Sequence, residues 1–374
     1  MKFTVSSSIL LKSLSTINGV IGNNPVVPIL ENFLFQLNDG VLVATGSDMQ
    51  IVMTTEIRVD SDGVGAIAVP AKLLLDTLRS LPDQPILLHV DENTFGVEIS
   101  TANGRFRLSG ENPLDFPQIP SVTRSHSLDI PSDVFASAIA NTIFAAGTDD
   151  HRPAMTGVYV QLSKEHTTFV ATDGHRLIRY RRNDVSSTEM TSMIMPKKAL
   201  NLLKSSLPSD GENVRIEFSS SNASFHFGPI KMVCRLIDER FPDYENVIPQ
   251  NNTNHLIIER AVLLSTLKRV SIYSNKTTHQ IRLKLTSNEL VISAEDLDYS
   301  NEASEKITCG YEGDDLEIGF NAKLLIEMLG NLTCTSVTVQ LSQPNRAGLI
   351  VPTDKDEEED ILMLLMPVML NSYV

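Results

Sequence analysis

The chain is poor in cysteine. Cys234, Cys309 and Cys334 are its only three, an odd number with no C-x-x-C spacing, which argues against a disulfide framework and a structural zinc site and points to a reducing cytosol. A secretory leader is not expected either, because the start Met1-Lys2-Phe3-Thr4-Val5 alternates like a strand and has no apolar core with a small-residue cleavage site. No apolar run approaches the roughly 20 residues that a membrane-spanning helix needs, so a cytoplasmic protein is expected. Positive charge is scarce: 31 Lys and Arg stand against 46 Asp and Glu, for a net charge of −15. That argues against a protein that wraps nucleic acid with its whole surface, although one basic patch is still allowed. The eight histidines are scattered with no H-x-x-x-H, and no G-x-S-x-G occurs, so no metal or cofactor is expected and neither a zinc hydrolase nor a serine hydrolase is suggested. Asp173 and His175 lie close together, but an acid–base pair on one turn needs a nucleophile and an oxyanion site elsewhere. A non-catalytic protein is the expectation.

What the sequence has in abundance is self-similarity, the mark of a repeat architecture. Leu42-Val43-Ala44-Thr45 stands 127 residues before Phe169-Val170-Ala171-Thr172, and Val291-Ile292-Ser293-Ala294 stands 122 residues after. Met195-Pro196 follows Val69-Pro70 by 126 residues, and Phe320-Asn321 follows by a further 125. Three units of common domain size result: 1–124, 125–252 and 253–374. Each unit opens with an alternating strand followed by an amphipathic helix, in the first case with Leu10, Leu14, Ile17 and Ile21 at helical spacing behind a Ser6 to Ser8 cap. Strands are expected at 32–37, 41–45 and 49–59, the first two joined by an Asn38-Asp39-Gly40 turn, and then a second helix at 71–81 and further strands. The second helices of the other units are expected at 197–207 and from Ala322, capped by Asn321. The polar stretch 250–254 reads as a linker and the acidic run 354–360 as a solvated loop. The pattern strand, helix, three strands, helix, three or four strands defines an α+β fold. Sheets of this kind leave open edges, which are removed if the sheet continues into the next unit.

The helices gather basic residues. Lys12, Lys72, Lys198, Arg269 and Lys323 each sit two positions from an apolar anchor, roughly 200° around the helix axis, and so face away from the sheets. Arg79, Lys197 and Lys204 add to these surfaces. Taken one helix at a time, this is ordinary solubilising charge. As a set recurring in one architecture it suggests a surface that meets phosphates by charge alone, without reading sequence. No aromatic platform for single strands accompanies it. A repeat scaffold that binds only proteins is the alternative, and it would not be retained on circular DNA.

The opening M-K-F-T-V, the loop Pro25 to Leu30, the run Ala171-Thr172-Asp173-Gly174-His175-Arg176-Leu177, the run Arg240-Phe241-Pro242-Asp243-Tyr244, and Met366-Pro367 together resemble the bacterial DNA polymerase III beta sliding clamps from Met1 to Leu370. The resemblance implies three clamp domains with antiparallel sheets outside and two helices per domain inside. It also implies a head-to-tail homodimeric ring around double-stranded DNA, and partners comprising the replicative polymerase alpha subunit, the clamp loader, and other polymerases and repair proteins that dock short Leu- and Phe-containing peptides. Carried onto this sequence, the peptide groove would use Met155, Thr172, Gly174, His175, Arg176, Leu177, Pro242, Val247, Leu364, Leu365, Met366, Pro367 and Val368. In this reading Met155, Leu177, Val247, Leu365 and Met366 form an adaptable apolar floor, with His175 and Arg176 on the rim. DNA contacts would map onto Arg152, Lys197 and Lys198. At the subunit interface Phe106 and Leu108 would meet Ile272 and Tyr273, with Arg105 and Arg107 opposite Glu302 and Glu305. Asn24 and Asn246 depart from charged residues of some relatives, and 371–374 extends past the usual end.

Overall fold

A computed structural model describes residues 1–22, 25–118, 126–354 and 356–370. Asn24, the end of the first repeat at 119–120 together with the 124/125 boundary, and the extension 371–374 lie outside the described residues. Six α-helices are described: α1 (Ser7–Ile17), α2 (Ala71–Ser80), α3 (Ser132–Thr142), α4 (Lys197–Ser206), α5 (Arg260–Val270) and α6 (Ala322–Gly330). They alternate with runs of antiparallel strands in the same order three times. Every repeat carries a strand that the sequence reading lacks immediately before its second helix, at Gly65–Pro70, Thr191–Pro196 and Leu316–Asn321, and repeats one and three add a short one at Asp60–Asp62 and Gly310–Glu312. Gly65–Pro70 and Thr191–Pro196 end in proline, which reads as punctuation; here it closes the strand and opens the helix, where its missing N–H costs nothing.

Local chemistry sets the helix starts. Ser6 caps α1 by accepting from Ile9 N, and Asn321 caps α6 by accepting from the N–H groups of Lys323 and Leu324. In α1 the buried residues Ser7, Leu10, Leu14 and Ile17 form one stripe, and in α2 Ala71, Leu74, Leu75 and Leu78 do the same. This leaves Lys12, Lys72 and Arg79 exposed, as the helical period requires.

The chain divides into two compact units, one of Met1–Ala136 with Lys198–Leu236 and the other of Ser137–Lys197 with Ile237–Val374. Each unit contains one sheet that runs across a repeat boundary. In the first, strand Ile51–Arg58 of repeat one pairs with strand Ile230–Arg235 of repeat two in the register Cys234 opposite Ile51, making an eight-stranded sheet. In the second, Arg176–Arg182 of repeat two pairs with Glu359–Leu365 of repeat three over its full length, Arg176 opposite Leu365 and Arg182 opposite Glu359, making a nine-stranded sheet. Two shorter sheets stay within one repeat: a five-stranded one ending in Arg105–Ser109 and a four-stranded one ending in Asn301–Thr308.

Two sequence readings need correction. The acidic run is not wholly a solvated loop, because Glu359 and Asp360 belong to the seam strand. Glu359 accepts from the Tyr180 hydroxyl at 2.6 Å and from Arg182 at 2.9 Å, and Asp360 accepts from Arg179 at 2.9 Å. Burial together with the Glu359 carboxylate pushes the Tyr180 hydroxyl up to about 12. The polar linker is likewise part of the fold: Asn252 is buried and donates to the carbonyls of Gln340 and Ala347 at 2.9 and 3.1 Å.

Cys234 is fully buried on the first seam, and burial pushes its thiol up to about 12. A thiol-exchange reagent at pH 8 is therefore expected to modify no more than Cys309 and Cys334 in the folded chain, with Cys234 reacting only after unfolding. Counting released chromophore before and after denaturant checks this, and three fast equivalents from folded protein would contradict the seam.

Candidate functional site

The turn that follows strand Thr167–Thr172 is built by its own side chains. Asp173 Oδ1 accepts from the N–H groups of His175 and Arg176 at 2.9 and 3.0 Å, while Thr172 Oγ1 accepts from Gly174 N at 3.1 Å and donates to Arg176 O at 2.7 Å. Gly174 has φ of +90°, a backbone conformation that residues other than glycine rarely adopt, and a Cβ there would meet the Arg152 guanidinium at 2.7 Å and push it aside, so the position favours glycine. From the turn the chain enters the seam strand, where neighbouring side chains point to opposite faces.

That alternation sorts the expected groove residues. Leu177, opposite Leu364, lies on the face where Val170, Ile194, Leu349 and Leu362 cluster with Phe241, Tyr244 and Ile248, packed against half-buried Ala154, Tyr159, Ile237 and Val351. Leu365 points the other way. It is buried among Leu256, Leu263 and Leu325, and so is part of the helix-side core and not a floor residue. Arg176, opposite Leu365, also points to the helix side. Its side chain is only 7 % exposed, so it is not a rim group. It is a clasp: Nε donates to Asp173 at 3.1 Å, one terminal nitrogen to Glu327 of α6 at 2.8 Å, and the other to the Phe144 carbonyl at 2.7 Å, with the guanidinium over the Phe144 ring.

The other expected groove residues line an accessible surface. His175, Pro242, Val247 and Met366 are exposed, Met155, Pro367 and Val368 half-buried, and Thr172 buried within its turn. Met366 N donates to the His175 carbonyl at 2.8 Å, which ties the chain end to the turn. The segment carrying Val247 is held down by Phe241 stacked on Tyr159 with ring centroids 4.7 Å apart, and by Tyr244 donating to Gln161 at 3.0 Å. Loose ion pairs from Glu245 to Arg179 and Arg181, at 3.6 and 3.8 Å, add to this. Asn246 is turned to Asp243, donating at 2.7 Å.

Of the expected DNA-facing cations, Lys12, Lys72, Lys204 and Lys323 are exposed and have no ion pair among the described residues. The others are partly spoken for. Arg79 is paired with Asp76, Arg269 with Glu305 and Lys198 with Asp48. Lys197 is half-buried and donates to the Ala146 carbonyl at 3.0 Å. Arg152 is not on a helix at all; it is paired with Asp149 and lies against Met155 and Gly174, beside the groove.

On the expected interface, Phe106 is 37 % exposed, Ile272 76 % and Tyr273 45 %, whereas Leu108 is buried in its own protomer. Arg105 and Arg107 both reach Glu98, at 2.6 and 3.1 Å, which holds that carboxyl below its ordinary range. Glu302 is exposed, and Glu305 is gripped by Arg269 at 2.6 Å.

Three family models match consecutive stretches of the chain: the N-terminal, central and C-terminal domains of the DNA polymerase III beta subunit, at residues 1–120, 129–243 and 245–368. The chain belongs to this family, the DNA sliding clamps. It is 32 % identical to the beta sliding clamp of Escherichia coli K12 over 91 % of this chain and 93 % of that one, and 29 % identical to that of Haemophilus influenzae over 97 % and 99 %. The DNA polymerase III subunit beta of Pseudomonas aeruginosa superposes with a TM-score of 0.94 at 30 % identity, covering 99 % of this chain and 100 % of that one.

In this sliding clamp, the sequence pattern points to the exposed residues expected at the groove but not to the apolar cluster packed beneath Leu177 and Leu364: Val170, Ile194, Leu349 and Leu362, with Tyr159, Ile237 and Val351 at its margin. Period-two alternation through Leu177 and Leu364 would have found several, because residues two apart share a face. Among the described residues no group of His, Cys, Asp or Glu could hold a metal ion, and no helix is long and apolar enough to cross a membrane. Arg176→Ala is expected to destabilise the second unit by about 2–3 kcal/mol, the range for losing hydrogen bonds made by a buried charged group. Arg176→Lys should recover little, because an ammonium cannot span three acceptors in a plane. Chemical denaturation followed at Tyr and Phe checks both, and an unchanged midpoint for Arg176→Ala would rule out the clasp.

Proposed function

We propose that two copies of this chain join head to tail into a closed ring around double-stranded DNA, and that the groove beside Asp173 to Leu177 tethers the replicative polymerase and other replication proteins to it. One observation carries the reading. Each completed sheet joins the strand after a repeat's central turn to the last strand of the next repeat: Ile51–Arg58 to Ile230–Arg235, and Arg176–Arg182 to Glu359–Leu365. Repeat three offers the same kind of edge in Asn301–Thr308 and repeat one the same kind of last strand in Arg105–Ser109, and neither is paired on that side among the described residues. Two open edges of matching type favour pairing with another chain, and a heterologous contact used twice closes a dimer.

The chemistry of the edges supports the match. Arg105, Phe106 and Arg107 lie on one, Glu302 and Glu305 on the other, and Ile272 and Tyr273 sit beside the second. On docking, Arg105 and Arg107 would share their protons between Glu98 and the partner's carboxylates, so the charges contribute orientation more than affinity. Phe106 and Ile272 supply the apolar centre, where interface energy concentrates.

In such a ring the helices α1 to α6 carry Lys12, Lys72, Lys204 and Lys323 toward a threaded polyanion. Confinement replaces grip, so modest charge suffices and the ring slides. The clamp itself performs no chemistry in this reading; nucleotide transfer belongs to the polymerase it holds. The groove's exposed apolar groups, Val247, Met366 and the thioether of Met155, adapt to short peptides with Leu and Phe anchors, such as the alpha subunit, the clamp loader and other polymerases would present.

Ile272→Asp is expected to give a folded monomer in sedimentation, and a persistent dimer would contradict the interface. Loaded on a nicked circular plasmid, the ring should stay through gel filtration and be lost when the plasmid is linearised; equal retention on both would contradict sliding. Val247→Asp and Met366→Asp should each weaken binding of a Leu/Phe-containing peptide by tenfold or more while the dimer persists, and unchanged affinity would remove the groove assignment. These positions are preferable to Leu177, whose burial makes a charge there a folding defect.

A further inference from the structure

The turn at the groove has a twin in the first repeat. Asp48 stands 125 residues before Asp173, and Lys198 stands 125 residues before Lys323. Asp48 Oδ1 accepts from the N–H groups of Gln50 and Ile51 at 3.0 and 2.7 Å, just as Asp173 Oδ1 accepts from His175 and Arg176. Met49, with φ of +78°, takes the left-handed place that Gly174 takes in the second turn. The two carboxylates differ only in what their second oxygen does. In the groove turn Asp173 Oδ2 is taken by Arg176 of the same turn. In the first turn the position of Arg176 is filled by Ile51, which is apolar and buried, and Asp48 Oδ2 is left to accept from Lys198 at the start of α4. The consequence is an asymmetry between equivalent helix lysines. Lys198 carries a carboxylate, whereas Lys323, at the same place in the next repeat, has no ion pair among the described residues.

We propose that Asp48 is a charge governor for DNA: it partly cancels Lys198 and so lowers the hold of α4 on the phosphate backbone. The inference rests on the reading above that the helix lysines face DNA. Asp48 is suited to the role because its side chain is 14 % exposed and fixed by two backbone N–H groups, whereas that of Lys198 is 52 % exposed and free to swing. The lysine therefore exchanges between a stationary carboxylate and a passing phosphate. A phosphate gains less from a cation that must leave another anion, and a ring that has to slide benefits from a weak, quickly broken contact. In the groove turn the same carboxylate does structural work through Arg176, and Lys323 keeps its full charge.

Asp48→Asn tests this without disturbing the turn, since the amide oxygen still accepts from Gln50 and Ile51. Binding of the full-length protein to a fluorescein-labelled duplex is followed by anisotropy across a salt series. Asp48→Asn should bind roughly two- to fivefold tighter at low salt, with a log–log salt slope steeper by up to about one per protomer. In a Lys198→Ala background Asp48→Asn should change nothing, and Lys323→Ala should weaken binding more than Lys198→Ala does. If Lys198→Ala and Lys323→Ala weaken binding while Asp48→Asn leaves it unchanged, or if Asp48→Asn acts equally with Lys198 absent, the governor is overturned and the DNA-facing reading stands. If neither lysine variant affects binding, both fall.

Discussion

A β-sheet edge presents unpaired N–H and C=O groups, and the fold is organised around disposing of them. No repeat closes its own sheets. Strand Ile51–Arg58 is completed by the last strand of repeat two, and Arg176–Arg182 by the last strand of repeat three, each seam continuous in hydrogen bonding. Pairing of this kind satisfies backbone groups whose burial without partners would each cost on the order of 1–3 kcal/mol. It also explains why the compact units of the chain do not coincide with its repeats: each unit is built around a seam. The same rule, applied to the edges Arg105–Ser109 and Asn301–Thr308, is the ground for proposing that a second protomer completes them.

The central turn shows how one solution is reused for different ends. In both of the first two repeats an aspartate caps the turn by accepting from two successive N–H groups, which fixes the entry of the chain into the seam strand. In repeat two the spare oxygen and the turn's arginine build a clasp that reaches α6 through Glu327 and the end of the second repeat's first helix through Phe144. The surface beside the turn is thereby anchored to the core, which suits the peptide docking proposed for it, because a preorganised surface wastes less binding energy on its own ordering. In repeat one the isoleucine at the arginine's place sends the spare oxygen to a lysine instead. Local sequence differences of one residue thus redirect the same turn from mechanical to electrostatic work.

Much of this was legible in the sequence, and what escaped has identifiable causes. The threefold recurrence, the six helices and the exposed lysines followed from periodicity, because helical spacing and the spacing of repeats are properties of the chain itself. The strands before α2 and α4 escaped because their closing prolines look like breaks. Motif position alone puts Arg176 and Leu365 on the groove, since it says nothing about which face a strand residue occupies; that is decided by pairing with a strand nearly 190 residues away. The acidic run looks solvated in the sequence because arginines that neutralise it, Arg179 and Arg182, come from the other side of a seam invisible there. Ion pairs such as Lys198 with Asp48 and Arg269 with Glu305 were unreadable for the same reason, and they temper any count of free cations on the helices.

The claim on which the account depends is that the two open edges complete each other between protomers. Hydrogen exchange on the full-length chain at high and low protein concentration measures it directly, peptide by peptide. The account predicts that amides in 105–109 and 301–308 gain protection together as concentration rises, while the outer strands 126–131 and 60–62 do not change. Equal exchange at both concentrations in 105–109 and 301–308, or protection that grows at other edges instead, would contradict it.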